Sequence, residues 1–155
     1  MRDHEAIPGP LASPLASLLD GQLGYVLRRA SMAMMADLVA RLRPIGLSVG
    51  EASFLLLIGA NPGCRQSDVG RALAIKRANL TPLVARMKAR DLVHDAPIDG
   101  RSRSLTLTEP GMALCDRARK CVTASNRKFR KLLDLDEKAL LQALGAIAGQ
   151  GQRQD

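Results

Sequence analysis

Apolar residues recur at helical spacing from about Leu15 to Leu42, through Leu19, Leu23, Val26, Leu27, Ala30, Met34 and Leu38. Pro44 and Gly46 end this long predicted helix. Ser48 with Glu51 three residues on is a capping-box signature, so a second helix is expected over 49–60. "NPG" at 61–63 is a strong turn signal. Two helices then follow closely, Gln66–Leu73 and 76–90, with Ala74-Ile75 as a brief turn between them. "LVHDAPI" (92–98) and "SRSLTL" (102–107) read as two strands joined through Asp99-Gly100. Thr108, with Glu109 and Pro110 behind it, caps a helix predicted to reach about Leu133, and Asp136 caps a last one to about Ala148. Residues 1–14, with Pro8, Gly9, Pro10 and Pro14, read as an irregular arm, and the polar 149–155 are expected to form a loose tail.

The helix over 76–90 sets the phase of the whole middle region. Leu80, Leu83, Val84 and Met87 share one face and must turn to the core. The opposite face carries Ala78, Pro82, Ala85 and Ala89, flanked by Arg77, Thr81 and Lys88 on one side and Asn79 and Arg86 on the other. A slim ridge between rows of hydrogen-bond donors suits a helix entering a DNA major groove, where Asn reads adenine and Arg reads guanine or holds phosphate. Pro82 has no N–H and leaves one first-turn carbonyl without its helical donor. A short helix, a tight turn, a second helix with a basic front and a hairpin tipped by "DGRSR" (99–103) together make a winged helix-turn-helix. The predicted fold is mainly α with a small two-stranded β wing, flanked by long helices at both ends of the chain.

Charge supports a polyanionic partner. The 155 residues carry a net charge of +8, unevenly placed. Residues 1–64 hold five bases and five acids, whereas 65–103 hold nine bases against four acids. The excess therefore lies around the helix pair and the hairpin. With one Tyr, two Phe and no Trp, the chain lacks the stacking platform of single-strand binders. Cys64, Cys115 and Cys121 are an odd set without a CxxC, which argues for a reducing cytoplasm rather than a disulfide scaffold. Cys115 and Cys121 are six apart on one predicted helix and face different ways. Residues 1–14 lack the pattern of a signal peptide, and the run "FLLLIGA" is too short to span a bilayer.

"RQSDVGRALAIKRANLTPLVARMKARDLVHDAPIDGRSRSLTLTEPG" resembles the DNA-binding core of the MarR family of transcriptional regulators. The resemblance rests on Gln66-Ser67-Asp68, Leu80 through Met87, Leu92-Val93, the wing Asp99-x-Arg101, and Leu107-Thr108 with Gly111. It extends in layout over about residues 15–148. It implies a homodimer on palindromic double-stranded DNA, with recognition helices about 34–36 Å apart. Residues 15–47 and 109–148 would pair with the second copy, and 48–108 would be the DNA-binding lobe. The implied DNA contacts are Gln66, Ser67, Lys76, Arg77, Ala78, Asn79, Thr81, Pro82, Arg86, Arg101 and Arg103. Arg101 would enter the minor groove, and Asp99 would orient the wing. Asp91 stands where the family usually has Gly just past the recognition helix, and Asp tolerates the left-handed conformation better than most residues.

Family members commonly take small, often aromatic, acids between the dimer helices and the winged lobe. On that pattern Arg28, Arg29, Ser31, Met32 and Met35 are candidate ligand residues: Arg to hold a carboxylate, Met to adapt to a flat ring. "NLTP" (79–82) resembles the hydroperoxide-sensing branch more narrowly, but "QLGY" (22–25) has Gly24 where those sensors carry their reactive Cys. A redox repressor would then have to use another thiol. The alternative reading is thus a redox-sensing repressor acting through Cys64, Cys115 or Cys121, of which Cys64 lies beside Arg65 at a helix start, where a thiol pKa can fall. His4 and His94 are isolated, and neither a metal-ligand cluster nor a phosphate loop is present, so no enzyme, metal or cofactor is expected.

Overall fold

The computed structural model describes residues 18–100 and 102–151. The irregular arm, the start of the first predicted helix at 15–17, Arg101 and residues 152–155 lie outside them. The elements run α1 (Leu23–Leu42), a 3₁₀ turn (Arg43–Ile45), α2 (Val49–Ala60), β1 (Cys64–Arg65), α3 (Gln66–Ala72), α4 (Arg77–Ala89), β2 (Val93–Pro97), β3 (Arg103–Leu107), α5 (Glu109–Arg130) and α6 (Glu137–Gly151).

Three expectations need correction. First, α1 starts at Leu23, because residues 18–21 are a turn in which the Gln22 amide donates to the Leu19 carbonyl, at Asp20-Gly21. Second, the wing belongs to a three-stranded antiparallel sheet in the order β1-β3-β2, with Cys64 opposite Leu105 and Arg65 opposite Ser104. A strand of two residues has no alternation to read. Third, α6 carries through Gly149 to Gly151, so the polar stretch taken as loose is helical in its first part. The other boundaries fall close to expectation. The capping box forms as read, with the Glu51 amide donating to Ser48 Oγ and the Ser48 amide donating to Glu51 Oε2.

One core holds α1 through α5 together. It gathers Leu42, Phe54, Leu55, Ile58, Val69, the α4 quartet Leu80, Leu83, Val84 and Met87, then Leu92, Val93, Leu105, Cys115 and Ala118. Among the described residues, helix α6 contributes none to it. Its first turn is tied to the end of α5 through Arg130 and Glu137 at 2.6 Å, and Leu141 and Ile147 stay exposed. No single helix among the described residues is long and apolar enough to cross a membrane.

The joint between the lobe and α5 is tight. Thr108 caps α5 by accepting from the Gly111 amide at 2.9 Å, and its hydroxyl donates to the Asp91 carbonyl at 2.6 Å. The Thr108 amide donates to the Leu92 carbonyl. The C-terminal end of α4 is thereby stitched to the first turn of α5.

Candidate nucleic-acid interface

Helix α4 stands in the predicted phase. Leu80, Leu83, Val84 and Met87 are buried, and Ala78, Pro82, Ala85 and Ala89 are exposed. Pro82 sits inside the helix without breaking it and leaves the Ala78 carbonyl on the outward face without its helical amide. The Thr81 hydroxyl turns back to the Arg77 carbonyl at 3.3 Å.

The helix starts differ in a way that matters. Ser48 caps α2 fully, whereas Arg65 and Lys76, the cap residues of α3 and α4, make no side-chain cap. The first turn of α4 also contains no acid. Neither a side-chain cap at Lys76 nor an acid in the first turn therefore offsets the positive end of its dipole, which favours an anion there. The turn between α3 and α4 is closed by the Ile75 amide on the Gly70 carbonyl at 2.9 Å, with Ala74 at φ 52°. A Cβ on Gly70 would meet Leu80 Cδ2 at 2.8 Å, so the buried Leu80 side chain would have to shift to admit one.

The predicted site residues separate into two concavities either side of the α4 ridge. Gln66, Ser67, Lys76, Arg77, Thr81 and Arg103 line a groove between α3, the start of α4 and the wing. Arg71 and Ser102 line it too, although neither was singled out by sequence. Arg71 carries the right charge next to the named Gln66-Ser67 pair, but it also pairs with Asp68 one turn back. Asn79 and Arg86 line the second concavity, with Lys76, Ser48 and Glu51.

Not all the cations are equally free. Arg86 lies 3.8 Å from Glu51, and Arg90 lies 3.6 Å from the same carboxylate while donating to the Gly46 carbonyl at 3.0 Å. Arg103 and Lys88 both pair with Asp95, an acid the sequence reading passed over. The alternation of β2 carried the signal, because Asp95 falls on the same strand face as buried Val93. In the wing, the Ile98 amide donates to the Ser102 carbonyl, and the Ser102 amide donates to Asp99 Oδ1 at 2.8 Å. The Asp99 carboxylate thus braces the loop that carries Arg101, whose own placement is outside the described residues.

Four of the five ligand candidates share one exposed face of α1. Arg28, Met32 and Met35 lie on an exposed stripe of α1 that continues to Val39, and Ser31 is exposed beside it. Arg29 stands apart, with its guanidinium 5.9 Å over the Tyr25 ring. The cysteines do not take the form a redox site needs. Burial pushes the Cys64 thiol up, and nearby Asp68 pushes the same way, contrary to the lowering expected from Arg65. Burial also raises Cys115, whose Sγ lies 3.5 Å from the Leu55 carbonyl, while Cys121 turns to the Arg41 carbonyl at 3.3 Å. The two thiols on α5 thus face different helices, as their spacing requires, and all three cysteines are free.

Known proteins with this architecture narrow its meaning. Residues 45–102 match the model of the MarR family. The chain is 27% identical over 133 residues to the HTH-type transcriptional repressor Mb2911 of Mycobacterium bovis, covering 82% of this chain and 96% of that one. The transcriptional repressor CouR, solved bound to a 23-mer DNA duplex, superposes with a TM-score of 0.77 at 35% identity, over 84% of this chain and 94% of CouR. CouR bound to p-coumaroyl-CoA gives 0.75 at 31% identity, over 88% and 98%. These similar proteins are transcriptional repressors. With the slim exposed front of α4, the open helix starts and the sheet-borne wing, they establish that this chain is a DNA-binding transcriptional regulator of the MarR family.

Proposed function

We propose that the chain acts in the cytoplasm as a homodimeric repressor that grips a palindromic duplex and lets go when a small aromatic acid or its CoA thioester binds. The single observation that carries the DNA reading is the front of α4: Ala78, Pro82 and Ala85 are exposed while the opposite quartet is buried. In this reading residues 48–108 read DNA. Gln66, Ser67, Lys76, Arg77, Ala78, Asn79, Thr81 and Pro82 meet the major groove or its phosphates, Arg86 joins by exchanging Glu51 for phosphate, and Arg101 enters the minor groove. Asp99 braces the wing.

Residues 15–47 and 109–148 pair with the second copy. That assignment is supported by exposed Met32, Met35 and Val39 on α1 and by exposed Leu141 and Ile147 on α6. Arg28, Arg29, Ser31, Met32 and Met35 would meet the effector at the junction of helices and lobe. The effector class is supported by the p-coumaroyl-CoA that CouR carries. DNA and effector would favour different spacings of the two lobes, and each would therefore oppose the other's binding.

The test is direct. Purified protein is mixed with random genomic fragments, and the captured DNA is sequenced and then challenged with aromatic acids and their CoA thioesters. Recovery of a shared inverted repeat, released by one of these compounds, supports the reading. Binding to that repeat should fall steeply with salt, with a log–log slope of about −0.9 per phosphate contact. An affinity indifferent to salt, or capture without any common sequence, overturns it.

A further inference from the structure

The inward face of the wing sheet is apolar only as far as the core reaches. Val93 opposite Leu107 and Asp95 opposite Leu105 lie on that face, followed by Pro97 opposite Arg103. Val93 and Leu105 are fully packed, but the next inward position on β2 is an acid. The Asp95 side chain is only 9% exposed, and it pairs at once with Lys88 on the last turn of α4 and with Arg103 on β3. Arg103 also reaches the Asp95 carbonyl at 3.4 Å, and Ser104 Oγ donates to the Ala96 carbonyl at 3.2 Å. One carboxylate therefore joins three elements where the hydrophobic core has run out.

We infer that Asp95 is a positioning residue for DNA reading: it clamps the wing to the recognition helix, and Lys88 and Arg103 are struts of that clamp rather than phosphate ligands. The inference rests on the DNA-binding reading above. Its physical content is an order of preference. A partly buried carboxylate with two cations against it competes with phosphate for both of them, and its charged form is favoured, chiefly by Lys88 and then by Arg103. The angle between α4 and the hairpin is then set before DNA arrives, and the two readers reach adjacent grooves together. Without the clamp, the part of the wing beyond Val93 and Leu105 would lose its side-chain tie to α4.

This makes a prediction opposite in sign to simple electrostatics. Removing an acid beside a polyanion should tighten binding. If Asp95 sets geometry, Asp95→Asn instead weakens binding to the selected inverted repeat by about tenfold. The same variant binds a mixed-sequence duplex as well as the native chain or better, with a salt slope steeper by about two, because Lys88 and Arg103 both become free for phosphate. The ratio of specific to mixed-sequence affinity is the readout, measured by fluorescence anisotropy on variants whose fold is checked by circular dichroism. Unchanged or tighter binding to the repeat overturns the inference. Arg103→Met is the second variant, since its half-exposed side chain can be replaced without opening the core. A strut predicts weaker repeat binding at an unchanged mixed-sequence salt slope. A slope shallower by about one on both DNAs would make Arg103 a phosphate ligand and overturn the assignment. Should Asp95→Asn fail to fold, Arg103→Met decides alone. Failure of the native protein to select any duplex would sink the DNA reading instead, before either variant is made.

Discussion

At the scale of single residues, the junction behind the recognition helix leaves little freedom. A Cβ on Gly111 would come within 1.9 Å of the Leu92 carbonyl oxygen, which is backbone and cannot step aside. That close approach is what lets Thr108 cap α5 while its hydroxyl and amide hold Asp91 and Leu92. Gly111→Ala should therefore cost about 2–4 kcal/mol in denaturant unfolding, the range of severe overpacking. Asp91, twenty residues earlier, presents the reverse case. It sits at φ 54°, with its amide on the Lys88 carbonyl and the Leu92 amide on the Met87 carbonyl. The tie from Thr108 reaches its backbone oxygen, not its side chain. Asp91→Gly should raise stability by about 0.5–1 kcal/mol by relieving the left-handed strain. A loss on that substitution would show that the carboxylate, rather than the backbone, is what the site needs.

At the scale of elements, the packing of α1 on α5 is held beyond the core by charge. Asp37 on α1 pairs with Arg41 one turn on and with Lys128 on α5, each at 2.7 Å. Hydrogen bonds from Arg41, then Lys128, then Ser125 hold its carboxyl well below the usual carboxylate range. A carboxyl lowered in the folded state adds stability above its unfolded value of about 3.9 and loses it as pH falls toward the folded value. Asp37→Asn should thus be less stable than the native chain at pH 7, and the gap should close progressively below about pH 4. A gap that stays constant with pH would mean that shape, not ionisation, joins these helices. Such long-range pairing is what sequence shows least. Helix α2 was legible because Ser48 and Glu51 signal locally, and α4 because four apolar positions repeat at one angle. The tie of Asp37 to Lys128 spans 91 residues and leaves no periodic trace. Within the site, the α4 ridge could be read from spacing alone, whereas the commitment of Lys88 and Arg103 to Asp95 needed the sheet register.

At the scale of the whole molecule, the single chain leaves an apolar account unsettled. Helix α6 lies outside the buried core, yet Leu141 and Ile147 on it remain 59% and 50% exposed, and Met32, Met35 and Val39 form a second apolar stripe on α1. Exposed apolar residues on these two helices support an interaction site there. The second copy proposed above would fit that surface and would also give DNA binding its form, since one lobe can contact only half of an inverted repeat. The two functions should then be separable. Ile147→Asp with Leu141→Asp should convert the protein to monomer in sedimentation velocity while the lobe, with its own core and the α5 joint intact, stays folded. Binding to the full repeat should fall by about a hundredfold or more, because the second lobe no longer benefits from the effective concentration that pairing provides. Binding to an isolated half-site should hardly change. Were the double variant still dimeric, α6 would not be the pairing element. Were it monomeric yet undiminished on the full repeat, one lobe would suffice, and the two-lobe arrangement would have to be abandoned.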